Sequence, residues 1–321
     1  MKILTAASRI TAVVAALSLA VISSAHAIEN IEIMAPAAPG GGYDRTARAY
    51  EATLKAEKLG SASVINVGGA GGAIGLAQFI RNKSGSGNAM IVGGFGMVSS
   101  FATNKSKVTL ADVTPIARLT SEYSVVVVPK DSPIKSMADL VARLKENPSA
   151  VSWAGGSAGG NDHIVAGLIA NAVGVDPKKV NYVAFSGGGD SVAAIIGGQV
   201  TAGVGGASEL RDQIKAGNMR ALAISADKRV AEYDIPTLKE QNIDAALSNW
   251  RGIAAPPGIT PEQRKAYLDL TEKVVKSPTW KTQLSNNGWN DEYLAGDAFK
   301  AHIESETKRV TEILTQLGLV K

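Results

Sequence analysis

Six glycine-rich stretches hold the residues best suited to chemistry in this 321-residue chain, and they contain 21 of its 34 glycines. The first part of the chain has Pro39-Gly40-Gly41-Gly42, then Gly68-Gly69-Ala70-Gly71-Gly72 with Gly75, then Gly93-Gly94-Phe95-Gly96. The second part has Gly155-Gly156-Ser157-Ala158-Gly159-Gly160, Gly187-Gly188-Gly189 and Gly203-Val204-Gly205-Gly206. Each follows a short apolar run of strand-like character. Glycine at the carboxyl end of a strand lets backbone N–H groups approach a ligand closely and turn into a helix. The helix N-terminus then offers unpaired donors and roughly +0.5 of a charge, enough to hold an anion without an arginine. One such stretch alone is an ordinary turn. Six in the same position relative to their strands predict a cleft around a small anion.

Acids and a histidine follow these stretches, and each has two readings. Asp44 and Arg48 stand four residues apart, the spacing of a surface ion pair on a helix. Alternatively, Asp44 fixes the glycine loop before it and Arg48 orients Asp44. Asp162, Asp190 and Glu209 are read either as helix N-terminal acids or as ligand contacts. Facing the cleft together they would repel a carboxylate, unless they accept hydroxyl groups or water, which selects against ligands that are fully charged and lack a hydroxyl. His163 is a neutral structural residue or a cleft residue; His302 is read as solvated on the surface.

Other chemistries are narrowed by what the chain lacks. With no cysteine there are no disulfides, thiolate zinc sites or iron–sulfur clusters, and three histidines argue against a histidine-rich metal site. No phosphate-binding G-x-x-x-x-G-K-[ST] occurs, and both G-x-G candidates lose the last glycine of the dinucleotide fingerprint, to Ile74 and to Ser99. No metal and no cofactor is expected. A hydrolase is the alternative from a different class. Gly155-Gly156-Ser157-Ala158-Gly159 matches G-x-S-x-G, so Ser157 would be the nucleophile, with an acid between Asp227 and Asp297 and with His302 completing the order. Against it, three more loop-like residues follow Ser157 before the helix, and His302 lies on a helix patterned for packing.

The elements that must position these residues alternate between strand-like and helix-like from residue 28 to about 225, which predicts an α/β fold with mostly parallel sheets covered by helices. Valine-rich residues 124–128 and residues 250–255 break the rhythm, and both are read as strands crossing between two lobes. Lobe 1 is then residues 28–128 plus 250–321, and lobe 2 is residues 129–249. The C-terminal region is helical over 261–275, 279–286 and 298–317, the last capped by Asp297. Its Phe299, Ile303, Val310, Ile313, Leu314 and Leu317 follow helical spacing.

Residues 1–27 read as a secretory signal peptide, with Lys2 and Arg9, a 13-residue uncharged run and Ala25-His26-Ala27 as the cleavage site near Ala27. The run is shorter than the ~20 residues needed to span a bilayer. Without this segment the chain keeps 31 basic and 29 acidic residues, too balanced for a nucleic-acid partner. The mature protein is read as exported.

At this level of detail the chain resembles a known family. Ala35-Pro36-Ala37-Ala38-Pro39-Gly40-Gly41-Gly42-Tyr43-Asp44 looks like the P-x-G-G-x-x-D signature of the Bug/TctC family, periplasmic solute-binding proteins of tripartite tricarboxylate transporters. Asn66-Val67-Gly68-Gly69, Phe185-Ser186-Gly187-Gly188-Gly189, residues 219–225, Pro236-Thr237-Leu238 and Asn249-Trp250-Arg251-Gly252 match in the same order. The resemblance implies a two-lobed periplasmic-binding-protein fold, type II-like, with the ligand between the lobes. It implies a small carboxylate, citrate or another tricarboxylate first and a dicarboxylate or aromatic acid as alternative. The carboxylate would be passed by a monomer to the large and small permease subunits. Gly40–Asp44 and Gly156–His163, with Ser186–Asp190 beside them, are carried over by motif. The full set of expected ligand-binding residues is Pro39, Gly40, Gly41, Gly42, Tyr43 and Asp44, with Gly69 and Ala70, from lobe 1. Lobe 2 supplies Gly156, Ser157, Ala158, Asp162 and His163, then Ser186, Gly187, Gly188 and Asp190, and finally Ser208 and Glu209.

Overall fold

Near-continuous burial along residues 31–35, relaxed at Glu32, suits the first strand, β1 (Ile31–Ala35), of a computed structural model that describes residues 30–185, 188–230 and 232–320. The expected signal segment lies outside the described residues, as do Ser186 and Gly187. The chain passes from β1 into α1 (Gly42–Ala56), then β2 (Ala62–Asn66), α2 (Ala73–Lys83), β3 (Ala89–Gly94) and α3 (Phe95–Thr103). β1 pairs in parallel with β2 on one side and β3 on the other, as helical crossovers require.

β4 (Thr114–Pro129) runs for 16 residues and joins two sheets. After it come α4 (Met137–Glu146), β5 (Ser152–Gly155), α5 (Asn161–Ala172), β6 (Asn181–Ala184), α6 (Gly188–Ile196), β7 (Ala202–Gly206), α7 (Ala207–Lys215) and β8 (Met219–Ile224). β5 pairs in parallel with β6 and β7, repeating the arrangement around β1. The end of β4, from Ser124 onward, pairs antiparallel with β7 and β8. Its beginning pairs antiparallel with β9 (Ser248–Ala255) and, after α8 (Pro261–Lys276) and α9 (Pro278–Asn287), with β10 (Asn290–Ala295). α10 (Gly296–Gln316) closes the chain. The expected α/β class is thus present, with each sheet mixed: three parallel strands continued by antiparallel ones.

Three expectations change. Residues 250–255 do not cross between sheets; β9 pairs with β3 and β4 inside the first sheet. The chain returns just upstream, where Leu247 N–H bonds to Ser225 C=O at 2.9 Å. Asp297 does not cap the last helix: α10 starts at Gly296, and Asp297 Oδ1 accepts from Arg264 Nη2 at 2.8 Å. His302 is half-buried rather than solvated, its ring edge-on to Trp250 at 5.2 Å. The apolar stripe of α10 is buried as its spacing indicates, from Phe299 through Leu317. Among the described residues no helix is long and apolar enough to cross a membrane.

Candidate ligand-binding site

The six glycine stretches separate into two kinds. Those at 39–42, 68–72 and 156–160 lie in connections or at helix starts and Gly188-Gly189 open α6, whereas Gly93-Gly94 and Gly203–Gly206 are the last residues of β3 and β7, which run straight into α3 and α7. In the strands glycine answers to packing: a Cβ on Gly203 would stand 2.2 Å from Ile195 Cδ1, and one on Gly94 2.4 Å from the Trp250 carbonyl oxygen. The stretch at 68–75 supports its neighbour, since a Cβ on Gly75 would meet Pro36 at 3.0 Å. Gly69 and Ala70 are exposed at its tip.

The loop between β1 and α1 is held from behind by Asp44. Its carboxylate is 2% exposed and accepts from the Gly40 N–H at 2.8 Å, Arg48 Nε at 3.0 Å and Asn66 Nδ2 at 2.9 Å. Burial works to raise the Asp44 pKa, but the bonds from Arg48, Gly40 and Asn66 outweigh it and hold it below the usual range. Gly40 has φ +80°, so this tight turn suits glycine. Asp44 therefore fixes the loop. Tyr43 is also committed: its hydroxyl accepts from the Met97 N–H at 2.9 Å, and burial pushes its pKa up to about 12, with Arg251 opposing.

The loop between β5 and α5 is built the same way. Asp162 Oδ2 accepts from the Gly156 N–H at 3.0 Å, while Oδ1 takes longer bonds from Ser124 and Asn161. Among the described residues no arginine or lysine pairs with it, and burial raises its pKa. His163 Nδ1 accepts from the Gly159 N–H at 3.0 Å, which places the ring proton on Nε2. Its ring stacks on Tyr182 at 4.2 Å, and burial lowers its pKa to about 4, so it is neutral at pH 7. The Tyr182 hydroxyl donates to the Gly156 carbonyl at 2.9 Å. Ser99 Oγ on α3 donates to the Gly159 carbonyl, joining the two parts of the molecule.

With these bonds assigned, the uncommitted donors stand out. Among the described residues, the N–H groups of Gly42, Tyr43 and Asp44 have no acceptor, and neither do those of Ser157, Ala158, Asn161, Asp162 and His163. The N-caps of α1 and α5 are Gly41 and Gly160, with no side-chain cap. Three other helices are sealed by their own side chains: Ser136, Thr260 and Ser277 cap α4, α8 and α9 by accepting from Asp139, Gln263 and Trp280 N–H, whereas α2, α3 and α10 have no side-chain cap. Open donors at two glycine-capped helix starts make an anion site from backbone alone.

The start of α7 is different. Glu122 of β4 accepts from the Ser208 N–H at 3.2 Å and from Ser208 Oγ, and from Arg251 Nη2 of β9 at 3.2 Å. Glu122 and Arg251 are 4% and 6% exposed. The Arg251 guanidinium lies against the first residue of α1, since a Cβ on Gly42 would stand 2.8 Å from its Nε. Sequence reasoning placed Ser208 in the site but missed Glu122. The available signal was the one acid of a long strand that ends in a run of valines, an acid that can be buried there only if paired. Glu209 is exposed, and its pKa is raised by partial burial and by Asp162 and Glu122, with Arg45 of α1 opposing. Arg251 and Glu122 link the starts of α1 and α7, and Ser124, two residues along β4 from Glu122, bonds to Asp162 at the start of α5.

Asp190 lies in the first turn of α6, and Gly188 begins that helix. The hydrolase arrangement does not assemble: Ser157 makes no hydrogen bond to His302, which stands among Trp250, Phe299 and Arg118. Among the described residues no group of three or more potential ligands could hold a metal ion.

Comparisons with known proteins agree with this geometry. Residues 47–319 match the model of the tripartite tricarboxylate transporter family receptor, TctC. The chain is 26% identical to Protein BugT of Bordetella pertussis over 298 residues, 90% of this chain and 89% of that one. A crystal structure of a TctC solute-binding protein from Polaromonas superposes with a TM-score of 0.75 at 27% identity, covering 90% of this chain and 98% of that one. Two Rhodopseudomonas palustris proteins share the fold. MatC with bound malate has a TM-score of 0.73 at 23% identity, covering 89% of this chain and 99% of MatC. A second protein, with adipate, has a TM-score of 0.76 at 22% identity, covering 90% and 97%. With the family model spanning most of its length, this chain belongs to the tripartite tricarboxylate transporter receptor (TctC) family.

Proposed function

We propose that the chain is a periplasmic solute-binding protein that captures a small carboxylate between two lobes and delivers it to the membrane subunits of a tripartite transporter. The lobes are residues 28–128 with 250–321, and 129–249, a division supported by the two sheets that β4 links. One observation carries the reading: α1 and α5 begin with glycine N-caps and unpaired N–H groups, whereas α4, α8 and α9 are sealed by their own side chains. The carboxylate binds to the Gly42–Asp44 amides from one lobe and to amides of 157–163 from the other. Closure follows because only the closed form offers both sets at once. No bond is made or broken.

A tricarboxylate such as citrate is the first candidate, on the sequence resemblance. Malate and adipate, bound by relatives of the same fold, make a dicarboxylate the second. Calorimetric titration of the mature protein with citrate, isocitrate, tricarballylate, succinate, malate and an aromatic dicarboxylate tests both. Saturable binding of at least one acid is expected. Binding of an amine and of none of these acids overturns the reading.

A further inference from the structure

We propose that the ligand of this cleft is a carboxylic acid that also carries a hydrogen-bond donor, a hydroxyl or ammonium group, received by Asn161 and Glu209. The inference rests on the carboxylate reading above and names the ligand class within it. Its basis is a count of what the cleft side chains have left to offer once their internal bonds are made.

Asn161, the first residue of α5, has its amide orientation set by a relay. Its Nδ2 donates to Ser124 Oγ at 2.6 Å, and Ser124 Oγ donates onward to Asp162 Oδ1 at 3.4 Å. Turning the amide over would set two acceptors, Asn161 Oδ1 and Asp162 Oδ1, against each other and break the relay. The orientation leaves Asn161 Oδ1 buried with no donor, and a buried carbonyl without a partner carries a desolvation cost. It calls for a donor, and a carboxylate has none.

Glu209 points to the same class independently. Asp162 is committed to Gly156 and Ser124, and Glu122 to Arg251 and Ser208. Among the described residues Glu209 accepts only from the Gly206 backbone, so most of its roughly four acceptor positions are open. Its charged surroundings are Asp162 from α5 and Glu122 from β4, balanced by Arg45 from α1; Arg251 from β9 gives Nη2 to Glu122 and keeps Nη1 buried without a partner among the described residues. A fully ionised ligand without a donor would bring a further negative charge against Glu209 and leave both acceptors unmet. A site built to receive a donor rejects the analogue that lacks it far more strongly than an apolar pocket rejects a missing methylene.

The test uses ligands that differ by one substituent. Succinate, malate and aspartate share a four-carbon skeleton, and tricarballylate and citrate differ by a hydroxyl. Titration of the mature protein at pH 7 should show the substituted acids binding at least tenfold more tightly than their unsubstituted parents. Malate ahead of aspartate identifies the donor as a hydroxyl; the reverse order identifies an ammonium group. The advantage should fall towards unity in Glu209→Ala, an exposed position whose removal leaves the fold intact, and in Asn161→Ala. Equal affinities within both sets overturn the inference while leaving the carboxylate reading standing. An advantage that survives in both variants overturns the assignment to these residues. If none of the five acids binds but the aromatic dicarboxylate does, this inference falls and the carboxylate reading stands; if no carboxylic acid binds, both fall.

Discussion

The loops that open α1 and α5 use one device in two electrostatic settings. Each is pinned by an aspartate in the first turn of the following helix, reaching back to a glycine N–H: Asp44 to Gly40 and Asp162 to Gly156. Asp44 is also met by Arg48 and Asn66 and is held in its ionised form. Asp162 has only neutral donors, and burial raises its pKa. The second loop adds a neutral imidazole, with His163 stacked on Tyr182 and accepting from Gly159. The same backbone geometry is thus charge-compensated in one lobe and left uncompensated in the other. The first loop is a fixed half-site, and the second carries a carboxylate whose charge depends on pH and on what enters the cleft.

The start of α7 extends the series to full compensation, because Glu122 caps it while paired with a buried arginine. The largest effect is therefore expected there. Arg251→Met should leave Glu122 buried and unpaired and lower stability by about 3–5 kcal/mol, as for broken buried pairs generally. Replacing both residues, in Glu122→Gln with Arg251→Met, should recover a large part of that loss. Urea unfolding of the wild type and the two variants checks this. A single-variant loss below about 1 kcal/mol would show that α7 does not depend on the pair.

Breaking the aspartates separates the two loops directly. Asp44→Ala leaves the Gly40 N–H and the Asn66 amide without their acceptor and should cost about 2–3 kcal/mol, together with a collapse of ligand affinity. Asp162→Asn keeps an acceptor for Gly156 and removes an uncompensated buried charge, so at pH 7 it should change stability by less than about 1 kcal/mol, in either direction. Equal losses in the two variants would abolish the distinction between the loops.

The pH dependence has opposite signs at the two aspartates. The folded pKa of Asp44 is lowered, so its contribution is present above the unfolded value and is lost as pH falls through the folded one. The folded pKa of Asp162 is raised, so the native state binds a proton first. Stability then falls as pH rises from the unfolded value, near 3.8, through the folded one. His163, lowered from 6.5 to about 4, makes stability rise with pH between those values. Unfolding measured from pH 2 to pH 7 should show Asp44→Asn losing ground to the wild type as pH rises towards 3.8, and Asp162→Asn gaining on it as pH rises above 3.8. His163→Phe should flatten the slope between pH 4 and 6.5. Parallel profiles for the two aspartate variants would contradict the assignment.

Local signals made much of this legible in the sequence. Glycine after an apolar run marks the end of a parallel strand, so the loops before α1 and α5 could be located, and Asp44, four residues from Arg48, could be read as a loop-fixing acid. The buried stripe of α10 follows from its periodicity. What escaped depends on distant pairing. β10, Asn290-Asp291-Glu292-Tyr293-Leu294-Ala295, is too polar to announce itself and becomes a strand through its bonds to β4. Glu122 and Arg251 are 129 residues apart, and His163 meets Tyr182 only because β5 and β6 are neighbours. Glycines forced by packing, such as Gly203 against Ile195, look the same in sequence as glycines that open a backbone to a ligand.

The smallest effect belongs to Arg48, and it decides what fixes the first loop. Its side chain is half-exposed while the Asp44 carboxylate is buried, so water screens the charge it contributes. The bonds from Gly40 and Asn66 do not require it. Arg48→Ala should therefore lower the melting temperature by no more than about 2 °C and leave ligand affinity within a few-fold of wild type. It should also move the Asp44 pKa back towards the usual range, since Arg48 supplies the largest of the opposing influences. Carboxylate titration followed by NMR, beside thermal unfolding, measures both. Should Arg48→Ala match Asp44→Ala in stability and binding, charge compensation would be what holds the loop. The contrast with Asp162 would then predict that the second loop is ordered only when protonated or occupied. A small change with a clear pKa shift leaves hydrogen bonding to the glycine amide as the common device, and charge as the property in which the two lobes differ.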